Sequence, residues 1–521
     1  MIDADIIISG LGPTGATLAG LLGQRGIRVV AFDKLPDLFP LPRAAGLDHE
    51  VMRILQELQV ADRVEPFIAP YRPSEYRGME GQLIKRLDAT PPPFKLGWAP
   101  NYVFNQPALE RTIRSRLTEL PTVRTECSAE VLDVGQESDH VWADVRLASN
   151  QQTTRYRARY LIACDGGSSP IRKRLGITLE DLGFDEPWLV VDAIVNDDKL
   201  EQLPQTQVQY CEADRPATYI VGVGKHRRWE LMLLPGESLS PEFPDGELWP
   251  LLERWLLPHE GKIWRAAAYR FHGLVANAWR HGRILLAGDA AHMTPPFMTQ
   301  GMVQGMRDAQ NLAWKLERIL RNQSPASLLE SYQQERRPHV TTTTQTAMAL
   351  GRVICERDPE QARARDERLI EEQGGSISTT FRQNLIPGLT CGLIAFDSPG
   401  AGSILPQPFV RAHGFEGRLD DLTGPTVRVI AIKPLTDEDR NLMHKSLSPI
   451  GGILLELASD TDRASEAGKF FEEQPTLSRW LIELDRTIVI VRPDHYVFAT
   501  AASPAEAVTL ITQLYISITT S

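Results

Sequence analysis

The sequence predicts an α/β protein of several domains, and three observations carry that prediction. A strand–turn–helix–strand unit of about thirty residues opens the chain. The middle third changes from short buried apolar runs to the alternation of antiparallel strands. A separate α/β pattern closes the chain.

Taken in order, Ile6-Ile7-Ile8 is a continuous apolar run, as expected of a parallel strand covered on both faces. Thr14 to Arg25 reads as a helix, with Leu18, Leu21 and Leu22 on one face and Gly26 at its end. Val29 to Phe32 supplies the next strand. Val51 to Leu58 repeats helical spacing, residues 71–100 are rich in Pro, Gly and Tyr, and Ala108 to Leu120 is a second amphipathic helix. Tyr160 to Cys164 is another buried strand. From Gly176 to Phe271 the stretches TQVQYCEA, ATYIVGVG and RWELMLLPG alternate as antiparallel strands do. RILLAGDAAHM returns to the buried style and Gly305 to Arg321 is a long helix. Helical spacing resumes after Pro325, with an interruption expected at Pro338. Residues 356–400, charged and then rich in Gly and Pro, read as a linker. TVRVIAI, GGILLEL and TIVIVRP are strands of the last unit, and Ser503-Pro504 opens its helix as N-cap and first residue.

At 521 residues two or three domains are expected, and 42% apolar with 24% charged residues describes an ordinary globular chain. The net charge of −11, with no basic tract, argues against nucleic acid and against an anionic membrane surface. No run reaches the roughly eighteen apolar residues of a membrane span. Met1 to Asp5 has no basic region that would start a signal peptide. Five scattered cysteines without a C-x-x-C pair fit reduced thiols, and so a cytoplasmic protein. No metal site is expected.

The chemistry is carried by three motifs. Gly10-x-Gly12-x-x-Gly15 stands between a strand and a helix, with Asp33 at the tip of the next strand. Gly10 permits the tight turn, Gly12 lets backbone approach a pyrophosphate, and Gly15 lets the helix pack on the sheet. The helix N-terminus offers N–H groups and a positive dipole end to phosphate. Asp33 can accept from ribose hydroxyls and repels a 2′-phosphate, so FAD or NAD is expected rather than NADP. The second motif is Asp165-Gly166, after a buried strand. The third is Gly288-Asp289-Ala290-Ala291-His292, followed by Pro295-Pro296 and Gln300-Gly301-Met302. An Asp at a strand end can hold ribitol or ribose hydroxyls, and the small residues beyond it let a flat ring lie on backbone.

In this order and spacing, the three motifs resemble those of the FAD-dependent aromatic hydroxylases, the class A flavoprotein monooxygenases. GMRDAQNLAWKL and ESYQQERRPH match that family's continuation. PRAAGLDHEVMRILQELQV, RRWELMLLPGE and Gln106-Pro-x-Leu109-Glu110 are most similar to its 3-(3-hydroxyphenyl)propionate hydroxylase branch. TIVIVRPDHYVFAT is similar to the thioredoxin-like tail of phenol-hydroxylase-type members, without C-x-x-C.

The resemblance implies a Rossmann-type FAD-binding domain with an inserted mixed α+β substrate domain and a C-terminal thioredoxin-like domain. The FAD domain is expected in three parts, 1–75, 101–175 and 276–395. A substrate-domain excursion at 76–100, a substrate sheet at 176–275 and the tail at 400–521 complete the layout. It also implies NADH or NADPH as a transient co-substrate, O₂, and transfer of one oxygen to a small aromatic substrate through a flavin C4a-hydroperoxide. A homodimer is one of the open assemblies. The alternatives are the same chemistry on a quinolone, polyketide or antibiotic ring, and a flavin-binding module without turnover.

By motif position, Gly10, Gly12, Gly15, Asp33, Arg43, Gln106, Asp165 and Asp289 are the expected FAD-binding set, with Gly301 and Met302 as backbone contacts to the flavin ring. A deprotonated phenol is the better nucleophile, so a base is sought near the substrate. Asp48, His49 and Tyr210 are its candidates, although Asp48 also has the position of an N-cap. Arg215, Tyr219, Arg228 and Pro295 are candidate substrate contacts. Gln106 equally suits a helix cap, and His292 a hydrogen-bonded structural role. The family has a glycine where Thr299 sits, and Asn or Cys where Val303 sits, which puts flavin contacts there in question.

Overall fold

The structure, a computed structural model, describes residues 2–149, 151–237 and 245–520. Three large sheets organise it. The first has a parallel centre in which Ile284–Leu286, Thr153–Ala163, Ala4–Ser9, Val29–Asp33 and Val123–Cys127 lie side by side. Ile8 faces Ala31 on one side and Ile162 on the other, and all three are fully buried. That double coverage is why these strands read as unbroken apolar runs. The Pro13–Gln24 and Gly301–Leu320 helices pack together on this sheet.

The second sheet has nine strands. Its spine is the antiparallel pair Leu179–Val195 and Gly261–Ala276, followed outward by His226–Met232, Ala217–Val221 and Gln207–Tyr210. The 71–100 excursion supplies Ser74–Arg77, which joins Gln207–Tyr210 in parallel, and then Leu83–Asp88. A small three-stranded sheet holds Gly46–Asp48 against Asn101–Phe104. The third large sheet, of seven strands, gathers TVRVIAI, GGILLEL and TIVIVRP near the C-terminus. Ser503 caps the closing Pro504–Thr519 helix by accepting from Glu506 N.

Two expectations are corrected. Pro338 does not interrupt its helix, which runs unbroken from Glu330 to Cys355. Proline deletes one N–H from the ladder, and the carbonyl left over, Gln334 O, is taken by Cys391 Sγ at 2.8 Å. Residues 356–400 are not a linker. Asp358 accepts from Glu360 N and Gln361 N and starts a helix at Pro359–Glu371. Its Arg365 donates to Cys211 O at 2.7 Å and its Asp366 accepts from Met79 N at 2.7 Å. Thr379–Phe381 then adds a ninth strand beside Leu83–Asp88. Arg365 and Asp366 are the buried charges of this helix and serve these contacts, while most of its other charges face solvent.

The long helices meet the C-terminal sheet through buried charge. Glu335 accepts from Lys315 Nζ at 2.8 Å and from both Arg492 Nη atoms at 2.8 Å, with none of the three exposed. Burial works to raise the Glu335 carboxyl, but Arg492 and Lys315 outweigh it and hold it down at about 2. Removing Glu335 leaves the Lys315 ammonium buried without a paired carboxylate, whereas Arg492 keeps Asp494 at 2.6 Å. Glu335→Ala is expected to cost about 3–5 kcal/mol of stability, read as a lower urea midpoint, whereas an unchanged midpoint would show that the cluster contributes nothing.

Candidate active site

The opening turn is built on contacts that only hydrogen can occupy. Gly10 has φ +98°, and a Cβ on it would stand 2.3 Å from Cys164 O. A Cβ on Gly15 would stand 2.0 Å from Gly10 O. Gly12 differs from both: its φ is −66°, and a Cβ there would meet no protein atom within 4 Å. That open space faces a cleft of about 400 Å³, at the uncapped N-terminus of the Pro13–Gln24 helix. A phosphate group fits this position by both space and charge.

The cleft runs from Gly12 past Arg43, Gln106, Gly166 and Asp289 to Gly301 and Met302. Gln106, 3% exposed, fixes one bend of it. Its Oε1 accepts from Arg43 N at 2.8 Å and Ala44 N at 2.5 Å, and its Nε2 donates to Glu110 at 2.7 Å. The helix cap here is Asn105, which accepts from Ala108 N. Asp289 is exposed to the cleft, and the protein packed around that wall pushes its carboxyl up. Asp165 Oδ1 is a buried acceptor with no donor, beside Gly166 at φ +86°. Asp33 sits behind the turn rather than on the cleft wall, accepting from Leu11 N at 3.0 Å and Arg114 Nη2 at 3.2 Å.

Across the cleft stand Ile220, Arg228, Glu230 and residues 269–272 of the second sheet. Arg228 is 2% exposed and already paired, with Nε on Asp192 at 2.7 Å and Nη1 on Arg43 O at 2.8 Å. It ties the substrate sheet to the Arg43 loop instead of awaiting a carboxylate. Glu230 accepts no hydrogen bond from the described residues, and Arg228 Nη1 stays 3.8 Å away. Burial pushes its carboxyl up to about 7. Sequence reading missed Glu230, although the two-residue strand period puts it on the face of Arg228. Phe271 brings an aromatic wall, stacked 5.7 Å from Trp188 with Phe297 edge-on to both.

Several expected contacts lie elsewhere. Tyr210 packs 5.4 Å from Trp255 under Arg254, and burial raises its hydroxyl. Tyr219 is fully buried against Trp229, and burial pushes it up to about 12. Arg215 is held by Glu237 at 2.6 and 2.9 Å. None of the three lines the cleft, and Pro296 rather than Pro295 does. Asp48 and His49 face a different cavity. Asp48 Oδ1 caps a helix by accepting from Val51 N, and its Oδ2 accepts from Arg307 Nη2 at 2.6 Å, so both oxygens are engaged. Burial lowers His49. Thr299 lines the cleft at φ +58°, the left-handed region that favours glycine, at a cost of about 1–3 kcal/mol for a β-branched residue. Val303 is fully buried in the core. His292 stacks on Trp279 and bonds Asp308 at 2.8 Å.

A family model described as FAD binding domain matches residues 3–347, and one described as HcaD C-terminal domain matches 402–515. A probable NADH-specific resorcinol 4-hydroxylase of Rhodococcus jostii (strain RHA1) is 35% identical, over 98% of this chain and 94% of that protein. The chain belongs to the FAD-dependent aromatic hydroxylases. A 3-(3-hydroxy-phenyl)propionate/3-hydroxycinnamic acid hydroxylase of Comamonas testosteroni is 29% identical, over 98% and 96% of the two chains. The flavin-dependent monooxygenase PieE shares the fold at TM-score 0.80 and 18% identity, covering 99% of this chain and 100% of its own. Aklavinone-11 hydroxylase does so at 0.79 and 20%, covering 99% of each.

The hydroxylase's cofactor fits the residues present: an open cradle at Gly12 lines the cleft, and so does Gly166, whose neighbour Asp165 keeps an acceptor unpaired among the described residues. Gly12→Val is expected to abolish flavin absorbance in the purified protein while leaving the unfolding midpoint of the flavin-free protein unchanged. Gly15→Ala is expected to lower that midpoint as well, since its Cβ meets backbone. Retained FAD in Gly12→Val would contradict the assignment.

Proposed function

We propose that this enzyme hydroxylates a one-ring phenol carrying a second substituent meta to the hydroxyl, using NADH, with Glu230 as the group that takes the phenol proton. Two relatives support the substrate class: resorcinol and 3-hydroxyphenyl acids share that meta pattern, and the first carries the NADH preference in its name. The observation that carries the role of Glu230 is its position, a carboxylate on the cleft wall with no hydrogen-bond donor among the described residues.

FAD, when bound, would pass two electrons from NADH to O₂ and so supply the transferable oxygen. The chain's own residues do the rest. Gly12 to Thr14 and Asp289 anchor the dinucleotide, and the Gln106 bonds hold the Arg43–Ala44 backbone against it. Phe271 and Pro296 give the ring an apolar bed that limits water. A free phenol such as tyrosine loses its proton near pH 10. A neighbouring carboxylate that accepts this proton at neutral pH makes the ring electron-rich when oxygen transfer occurs. Burial places Glu230 near the working range: its pull toward the neutral form exceeds the opposing pull of Arg228.

The sign of the pH dependence follows. Glu230 accepts a proton only when ionised, so hydroxylation is expected to rise with pH across about 7. Glu230→Gln is expected to slow hydroxylation by about 10²-fold, to remove that rise and to keep FAD. The proposed activity itself is read as NADH oxidation accelerated by resorcinol or 3-hydroxyphenylpropionate, with a product heavier by one oxygen. If neither compound accelerates NADH oxidation, the substrate assignment fails.

A further inference from the structure

A second cavity, of about 200 Å³, lies across the 298–301 segment from the cleft. Met298 and Gln300 face this cavity, whereas Thr299 and Gly301 face the cleft. Its wall holds three cations, Lys95, Arg307 and Arg382, against two carboxylates, Asp48 and Glu50. Both carboxylates are already matched. Arg307 donates to Asp48 Oδ2 at 2.6 Å and to Glu50 Oε2 at 2.9 Å. Burial would raise Glu50, but Arg307 prevails and holds it down at about 2.

Arg382 is the exception. It is 6% exposed, yet it forms no ion pair with any described residue. Its Nη2 donates to Met298 O at 3.0 Å, its Nη1 only weakly to Tyr71 Oη at 3.4 Å, and its Nε is buried with no acceptor at all. The Tyr71 ring, 4.7 Å from the guanidinium carbon, supplies the nearest compensation. A guanidinium buried without a counter-charge is unfavourable, and an anion beside it relieves that cost. Nη1, held only weakly by Tyr71, is the guanidinium donor left to bond a carboxylate in the cavity. Lys95 adds a second cation to the same wall, over the Trp480 face at 5.8 Å.

We propose that this cavity binds a small carboxylate anion, gripped by Arg382 with Lys95 as the second cation. The anion has two possible sources with one chemistry: the acid tail of a phenolic substrate reaching past the 298–301 segment, or a separate organic acid that seats there as an effector. The substrate-tail source rests on the proposed hydroxylation of an acid-bearing phenol; the effector source stands apart from it.

Calorimetric titration of the FAD-loaded enzyme with benzoate, and with neutral benzamide as control, tests it. Benzoate is expected to bind at least about tenfold more tightly than benzamide. Arg382→Met should remove that preference with FAD content unchanged, and Arg382→Lys should retain part of it. Should Arg382→Met not fold, Arg382→Lys and Lys95→Met carry the test, each weakening benzoate in FAD-loaded protein. Benzoate that raises the KM of the phenol marks the seat of a substrate tail. Benzoate that changes the rate at saturating phenol marks an effector. Equal binding of benzoate and benzamide, no binding of either, or benzoate affinity indifferent to these substitutions would overturn the proposal. Failure of the hydroxylation reading is seen separately, in phenol-dependent NADH oxidation without benzoate.

Discussion

Thr14 sets the tolerance of the whole cleft. A Cβ on Gly288 would fall 2.6 Å from its Oγ1, and one on Gly305 would fall 2.1 Å from it, distances that real side chains do not reach. The same turn brings Gly10 within touching distance of Cys164. One hydroxyl and its neighbouring backbone therefore join the strand–turn–helix that opens the chain, the strand end before Asp165, and the start of the Gly301–Leu320 helix. These pieces lie more than a hundred residues apart in places, and side-chain-free contact lets them meet without a gap. A cofactor that spans them needs that closeness, because its phosphates and its ring touch different pieces.

Charge then latches what shape brings together. Asp308, fully buried, accepts from Gly288 N at 3.0 Å, His292 Nε2 at 2.8 Å and Arg336 Nε at 2.9 Å. Burial works against its ionised form, and His292 with Arg336 overcomes that and lowers it. The Gly288-Asp289 turn is thereby fastened to two long helices, and Glu335 fastens the second of these to the C-terminal sheet. His292 belongs to this latch, which explains a conspicuous histidine with no chemistry of its own. The cleft stays open at Gly12, where no side chain fills the space, while Arg228 beside Glu230 is spent on Asp192 and Arg43 O.

Much of this architecture was legible in the residues. The parallel centre announced itself through runs buried on both faces, the first glycine motif through the strand before and the helix after it, and the other two through the buried strand before each. What escaped depended on partners distant in sequence. Pro338 could be read only as a break, since nothing nearby says that Cys391 would take the freed Gln334 carbonyl. The 356–400 stretch read as a linker because Met79 and Cys211, which its helix meets, are far upstream. Tyr210 and Tyr219 stood on the right sheet but on its packed interior. Glu230 was within reach of the strand period, yet its lack of a donor appears only in three dimensions. Arg382 carried no sequence signal at all.

The central claim is that this cleft joins a flavin to a phenol and transfers oxygen between them. Turnover under ¹⁸O₂ in ordinary water, with resorcinol and NADH, tests it most directly. The account predicts one labelled oxygen in the ring product for each NADH consumed in coupled turnover. Product carrying unlabelled oxygen from water, or NADH oxidised to hydrogen peroxide with the phenol recovered intact, would contradict it.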